Sequence, residues 1–141
     1  MVKKIVDMKV TVIIEKNKTG LFSAFVEDEL PDFALNGQGF TVEEAKGELT
    51  RAYNEIKELL VEEGKVAPEL EFEYSYDIPS LFSEFNMINI SRFAKSIGIN
   101  PGLMRRYACG ETFASENQLR RIENGVRTLG QRLSTAIVEL G

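Results

Sequence analysis
Ile90-Ser-Arg-Phe-Ala-Lys-Ser-Ile-Gly-Ile-Asn-Pro-Gly-Leu-Met-Arg-Arg-Tyr-Ala-Cys109 holds more mutually dependent positions than any other stretch of comparable length in this 141-residue chain. Two short helices packed across a tight turn need a small residue where they cross, and Ala94 supplies it. The turn needs a residue that tolerates positive φ, and Gly98 follows four positions later. The inner faces need apolar side chains, which Phe93, Ile97, Ile99, Met104 and Tyr107 provide. The second helix needs a cap and a clean start. Asn100 is a good N-cap, and Pro101 falls at the first helical position, where its missing N–H costs nothing. The spacing predicts a helix-turn-helix.

On the second helix Asn100, Pro101, Gly102, Arg105, Arg106 and Cys109 are left facing outward. In helix-turn-helix modules the N-terminal side chains of this recognition helix reach base edges in the major groove of duplex DNA. Arg105 is the candidate for a bidentate contact to guanine. Arg106 and Asn100 are candidates for phosphate contacts, which position without specifying, and Pro101 and Gly102 complete the predicted surface. The plainer reading of these residues is an αα-hairpin with surface arginines.

Beyond Gly110, Ser115 and Gln118 stand at capping-box spacing. Leu119, Ile122, Val126, Leu129, Leu133, Ala136 or Ile137, and Leu140 then step by three and four, predicting a long C-terminal helix. Its first half is expected to close the core of the module, and its second half to form a homodimer.

Before Ile90 the patterning differs. Met8–Lys16 alternates as a strand, Asn17-Lys18-Thr19-Gly20 is a turn, and Leu21–Val26 reads as the second strand of a hairpin. A short third strand is expected within Phe33–Gln38. Thr41 and Glu44 form a capping box for a helix whose apolar face runs Val42, Ala45, Leu49, Ala52, Tyr53, Ile56, Leu59, Leu60, with Gly64 placed to end it. Leu70, Phe72, Tyr74 and Tyr76 alternate with acidic or small residues, a strand with one buried and one wet face. The expected fold is α+β: an antiparallel β-β-β-α-β domain over 1–78, then an all-α domain over 79–141, with the boundary near Pro79.

The net charge of −5 conceals a division. Residues 90–141 carry eight basic and four acidic side chains, a balance of +4, whereas residues 1–89 carry nine and eighteen, a balance of −9. Such asymmetry suggests that one half faces a polyanion and the other avoids it or binds a basic partner.

Absences narrow the chemistry. There is no histidine and a single cysteine, Cys109, so a Cys/His zinc site and an internal disulfide are excluded. No metal, no cofactor and no catalytic residue are expected. No apolar run approaches the roughly 18 residues of a membrane span, and the N-terminus lacks the pattern of a signal peptide. A reducing cytoplasm is the expected location, with no membrane partner.

With both halves read, the chain resembles the HicB-type antitoxins. Leu30-Pro31-Asp32-Phe33 through Gly37-Gln38-Gly39-Phe40-Thr41-Val42-Glu43-Glu44-Ala45 is similar to their segment leading from a Pro-Asp into a Gly-x-Thr-x-x-Glu-Ala helix start, with Gly39 displaced by one position. Residues 90–125 are similar to the helix-turn-helix of phage-repressor (XRE/lambda-like) regulators. The resemblance implies a partial RNase H-like N-terminal domain without nuclease activity and a HicA-like mRNA-interferase toxin as partner. It also implies repression of the operon through a palindromic operator. An RNA-cleaving toxin must be basic, so Glu27, Asp28, Glu29 and Asp32 are candidates for partner contact by electrostatic steering; a solvated acidic loop is the plainer alternative. Two other readings stay open. One is a stand-alone regulator whose α/β domain oligomerises or senses a ligand. The other is a pure protein-interaction module.

Overall fold
A computed structural model describes residues 6–141; residues 1–5, most of the N-terminal stretch judged unlike a signal peptide, lie outside the described residues. The protein is α+β, with a four-stranded mixed sheet and five helices among the described residues. Contacts divide it after Phe85 into two compact units.

The first unit contains β1 (Met8–Lys16), β2 (Phe22–Val26), β3 (Asn36–Gly39), α1 (Val42–Glu62), β4 (Leu70–Tyr76) and α2 (Ile78–Glu84). The hairpin forms as expected: the Asn17 side chain accepts from the Thr19 and Leu21 amides, and Gly20 takes φ +89°. The strand order is β3-β2-β1-β4. β1 to β3 are antiparallel, but β4 lies parallel to β1, Val10 opposite Phe72 and Val12 opposite Tyr74. The expected all-antiparallel sheet is therefore corrected to a mixed one. The reason is that α1 is a crossover, returning the chain to the starting end of β1, and such a connection delivers a parallel strand.

One face of this sheet carries Val10, Val12, Ile14, Phe22 and Ala24, all buried with Val42, Ala45, Leu49 and Tyr53 of α1. α1 is closed at both ends by local chemistry. The Thr41 hydroxyl accepts from the Glu44 amide, while the Glu44 carboxylate accepts from the Phe40 amide. At the far end Gly64 takes φ +75°, and the amides of Lys65 and Gly64 donate to the carbonyls of Leu60 and Val61, a Schellman pattern. Leu59, expected on the buried face, is instead more than half exposed. The buried Tyr53 hydroxyl donates to the Pro68 carbonyl at 2.6 Å and accepts from the Leu70 amide, tying α1 to the start of β4.

The division after Phe85 differs from the expected boundary near Pro79. Pro79 does not break the chain there. It sits in the first turn of α2, whose N-cap Asp77 accepts from the Ser80 amide. The second oxygen of Asp77 accepts from the Lys16 amide, and its own amide donates to the Ile14 carbonyl, so α2 is anchored to the end of β1. Lys46 of α1 adds a second anchor. Its ammonium lies 2.7 Å from the Glu84 carboxylate, donates to the Tyr76 hydroxyl and stands over the Tyr74 ring. Burial alone would lower the Lys46 pKa, but the bonds to Glu84 and Tyr76 outweigh it and hold the value above the ordinary lysine range.

Ser80 is fully buried in α2, and its hydroxyl has no hydrogen-bond partner among the described residues. An unpaired buried hydroxyl carries a desolvation cost of roughly 1–3 kcal/mol. Ser80→Ala is accordingly expected to raise stability by about 1 kcal/mol, read as a higher urea midpoint with an unchanged m-value. A lower midpoint would contradict the unpaired hydroxyl.

The second unit contains α3 (Ile90–Ser96), α4 (Pro101–Ala108) and α5 (Glu116–Thr135). Its core is Phe93, Ala94, Ile99, Met104, Tyr107 and Ile122. α5 starts on its expected cap, the Ser115 hydroxyl accepting from the Gln118 amide. It ends at Thr135, short of the expected run to Leu140. The hydroxyls of Ser134 and Thr135 donate back to the Gln131 and Arg132 carbonyls, and Ile137 and Val138 then disfavour continuation.

Candidate nucleic-acid interface
The α3–turn–α4 segment is built by caps that the sequence spells out. Asn89 caps α3 by accepting from the Arg92 amide. At its end Gly98 takes φ +74°, and the amides of Ile99 and Gly98 donate to the carbonyls of Ala94 and Lys95. This Schellman closure places Ile99 in the core and reverses the chain. Asn100 then caps α4, its side-chain oxygen accepting from the Leu103 amide at 3.1 Å, and Pro101 is the first helical residue. α4 closes in the same way through Gly110 at φ +81°, with the Glu111 amide on the Arg106 carbonyl.

Met104 and Tyr107 point into the core, which fixes the rotation of α4. Arg105, Arg106 and Cys109 therefore fall on the exposed side, as does Asn100 at the entry, with Pro101 and Gly102 half-buried between. All five predicted contact residues thus lie on one continuous stretch, with both arginines outside. Arg105 is not loose: its guanidinium donates to the Ser91 hydroxyl of α3 at 2.8 Å and stands close to Gly102. Arg106 is exposed and makes no ion pair among the described residues.

Two neighbours were not singled out from the sequence. Ser91 positions Arg105, and Arg121 of α5 reaches the Gly98 carbonyl at 3.4 Å, adding a cation beside the turn. The signal for Arg121 was only its share in the charge count, because a helix register cannot say which turn carbonyl it meets. Ser91 had no signal of its own.

The acidic loop of the first unit is more structured than its composition suggests. Glu27, Asp28, Glu29 and Asp32 are all exposed. One oxygen of Asp28, however, accepts from the Thr11 amide at 2.7 Å, extending the β1 hydrogen-bonding pattern. Asp32 follows Pro31 in the left-handed region at φ +68°. Thr11 stands opposite Glu73 on β4, so the loop and the wet acidic face of β4 lie one strand apart. Among the described residues no group of three or more His, Cys, Asp or Glu is placed to hold a metal ion. No helix there is long and apolar enough to cross a membrane.

No family model, no curated protein and no solved structure matches this chain.

Proposed function
We propose that the protein is a sequence-specific DNA-binding repressor whose α/β unit captures a small basic protein, acting as the antitoxin of a toxin–antitoxin pair. The carrying observation is the outer face of α4. A capped helix N-terminus, a glycine that keeps the surface low and two exposed arginines, one pre-positioned by Ser91, sit together with no carboxylate bonded to either guanidinium. On this reading α3 and α4 form a helix-turn-helix and α4 enters the major groove, with a dimer spanning half-sites about one helical turn apart. The antitoxin half rests on the resemblance to HicB-type proteins, including a partial RNase H-like first unit. It is supported by charge: the exposed Glu27, Glu29, Asp32, Glu71 and Glu73 offer an acidic surface to a basic, RNA-cleaving partner.

The DNA half is tested by selecting duplexes from a random pool and measuring affinity against salt. The selected site should bind at least about 10³-fold more tightly than random duplex, with affinity falling as salt rises. Arg106→Ala should weaken all duplexes alike and reduce the salt slope by about 1. No duplex binding at low salt would overturn the regulatory reading. The partner half is tested by inspecting the adjacent gene for a small basic protein and co-expressing the two; the lack of such a neighbour would count against that half. Co-purification and relief of growth arrest are expected; a toxic neighbour left uncaptured would overturn that half while leaving the DNA half standing.

A further inference from the structure
The second unit contains a groove that its own chain does not fill. It lies between α3 and α5 and has a volume of about 700 Å³. Phe93, Ile97 and Leu129 give it an apolar floor, while Arg92, Arg121 and Arg132 stand along it, and no carboxylate is among the lining residues. Gly125 brings the two helices together at one point, since a β-carbon there would sit 2.5 Å from the Ile97 side chain.

The same unit exposes a segment of matching chemistry. After α5 ends at Thr135, Ala136 turns extended (φ −72°, ψ 134°) and residues 136–141 continue without secondary structure. Ile137 and Val138 are 90% and 94% exposed and Leu140 is fully exposed. Exposed apolar side chains at this density mark an interaction segment. Between them stands Glu139, which makes no ion pair among the described residues, as Arg92 and Arg132 make none. An exposed apolar segment carrying one acidic side chain, Glu139, therefore matches the chemistry of an apolar groove edged with cations. Extended, Ile137 to Leu140 spans about 10 Å, so its three apolar side chains fit along the α5 wall from Asn117 to Arg132, about 22 Å long.

We infer that the tail 136–141 of one copy docks in the α3–α5 groove of a second copy, and the reverse, giving a two-fold symmetric dimer by reciprocal exchange. The tail cannot readily serve its own groove. The groove lies back along the helix the tail has just left, and Ser134-Thr135-Ala136-Ile137-Val138 holds no Gly, Pro or Asn to reverse the chain. An exchanged tail needs no reversal, and the closed two-fold arrangement satisfies both grooves at once.

The test uses the full chain without DNA, so its outcome is separable from that of the regulatory reading. Wild-type protein should sediment as a dimer at micromolar concentration. A tail variant, Val138→Asp with Leu140→Asp, and a groove variant, Leu129→Glu, should each sediment as monomers, a rise in dissociation constant of at least about tenfold, with circular dichroism confirming that both remain folded. Mixing the two should restore a dimer, because one intact tail meets one intact groove. A monomeric wild type, a tail variant that stays dimeric, or a mixture that stays monomeric would each overturn the exchange. So would Arg92→Ala and Arg132→Ala lowering DNA affinity without changing sedimentation, which would assign the groove to nucleic acid.

Discussion

Gly37→Ala is expected to destabilise the α/β unit by about 3 kcal/mol or more, at the upper end of what one surplus methyl costs in a packed core. Gly37 lies in β3 beneath α1. A β-carbon there would stand 2.5 Å from the Ala45 carbonyl oxygen and 2.6 Å from the Leu49 amide nitrogen. Both neighbours are helix backbone, not the ends of flexible side chains, so relief requires α1 to lift off β3 as a body. That movement would draw Ala45 and Leu49, both fully buried, away from the strands they cover. In a unit of this size the loss is a large share of total stability and should lower the melting temperature by more than about 10 °C. Gly47→Ala supplies the contrast. It changes the same residue type in the same region, but nothing lies within 4 Å of its added carbon and it sits mid-helix. It should stabilise by about 0.5–1 kcal/mol through helix propensity alone. If the two substitutions shifted the melting temperature equally, the close approach of β3 and α1 would be wrong.

How far the sequence could be read follows from the range of each interaction. The caps were legible because each is settled within four residues: Thr41 with Glu44, Asn100 with Leu103, and Ser115 with Gln118. Gly64 and Gly98 were legible for the same reason, each closing a helix by bonds to its own last turn, as Gly110 also does at the end of α4. The direction of β4 was not, since Phe72 meets Val10 across most of the unit and alternation is identical in parallel and antiparallel strands. The end of α5 is not legible, because the step of three and four continues through Ile137 and Leu140 after the helix has stopped at Thr135. Periodicity records which residues are apolar, not whether a partner is present to reward the helix. Leu133 shows the consequence, lying 66% exposed on the last turn. The candidate contact surface was legible in its residues and incomplete in its support. Outward positions on α4 follow from its period once Met104 and Tyr107 are inside, but the Ser91 contact to Arg105 joins two helices and no single-helix pattern contains it.

These placements also distinguish which charged side chains of each half are already engaged. Asp28 is partly committed to the Thr11 amide, so Glu27, Glu29 and Asp32 are the freer carboxylates of the loop. A charge-reversal of Glu27 and Glu29 is the change that tests partner steering with least risk to the sheet. On the basic side Arg120 and Arg127 are each paired with a glutamate one helical turn away, Glu116 and Glu123. Neither pair leaves a full charge for a distant ligand, whereas Arg105 and Arg106 have no such partner. The net +4 of the second unit is thus concentrated around α3, α4 and the facing side of α5.

Arg105→Ala is expected to weaken binding to the selected operator by roughly 1–3 kcal/mol, about 5- to 150-fold, and to abolish preference at one base pair. Its stability cost should be small, because the core of α4 is carried by Met104 and Tyr107 on the opposite side. On the proposed reading, specificity would follow from the fork of the guanidinium: with one N–H held by the Ser91 hydroxyl, the others remain to meet the two acceptors of a guanine edge. Arg105→Lys should recover little of the loss, since a single ammonium cannot reproduce two parallel bonds from a fixed plane. Ser91→Ala should cost only a few-fold, because it removes pre-positioning and not the contact itself. Arg106→Ala provides the opposing profile, an equal loss on selected and scrambled duplexes. Titrations of all four base pairs at each operator position would separate the two arginines. Equal losses on selected and scrambled duplex for Arg105→Ala would show that it, too, grips only phosphate, and the reading of α4 as the base-reading helix would fall with it.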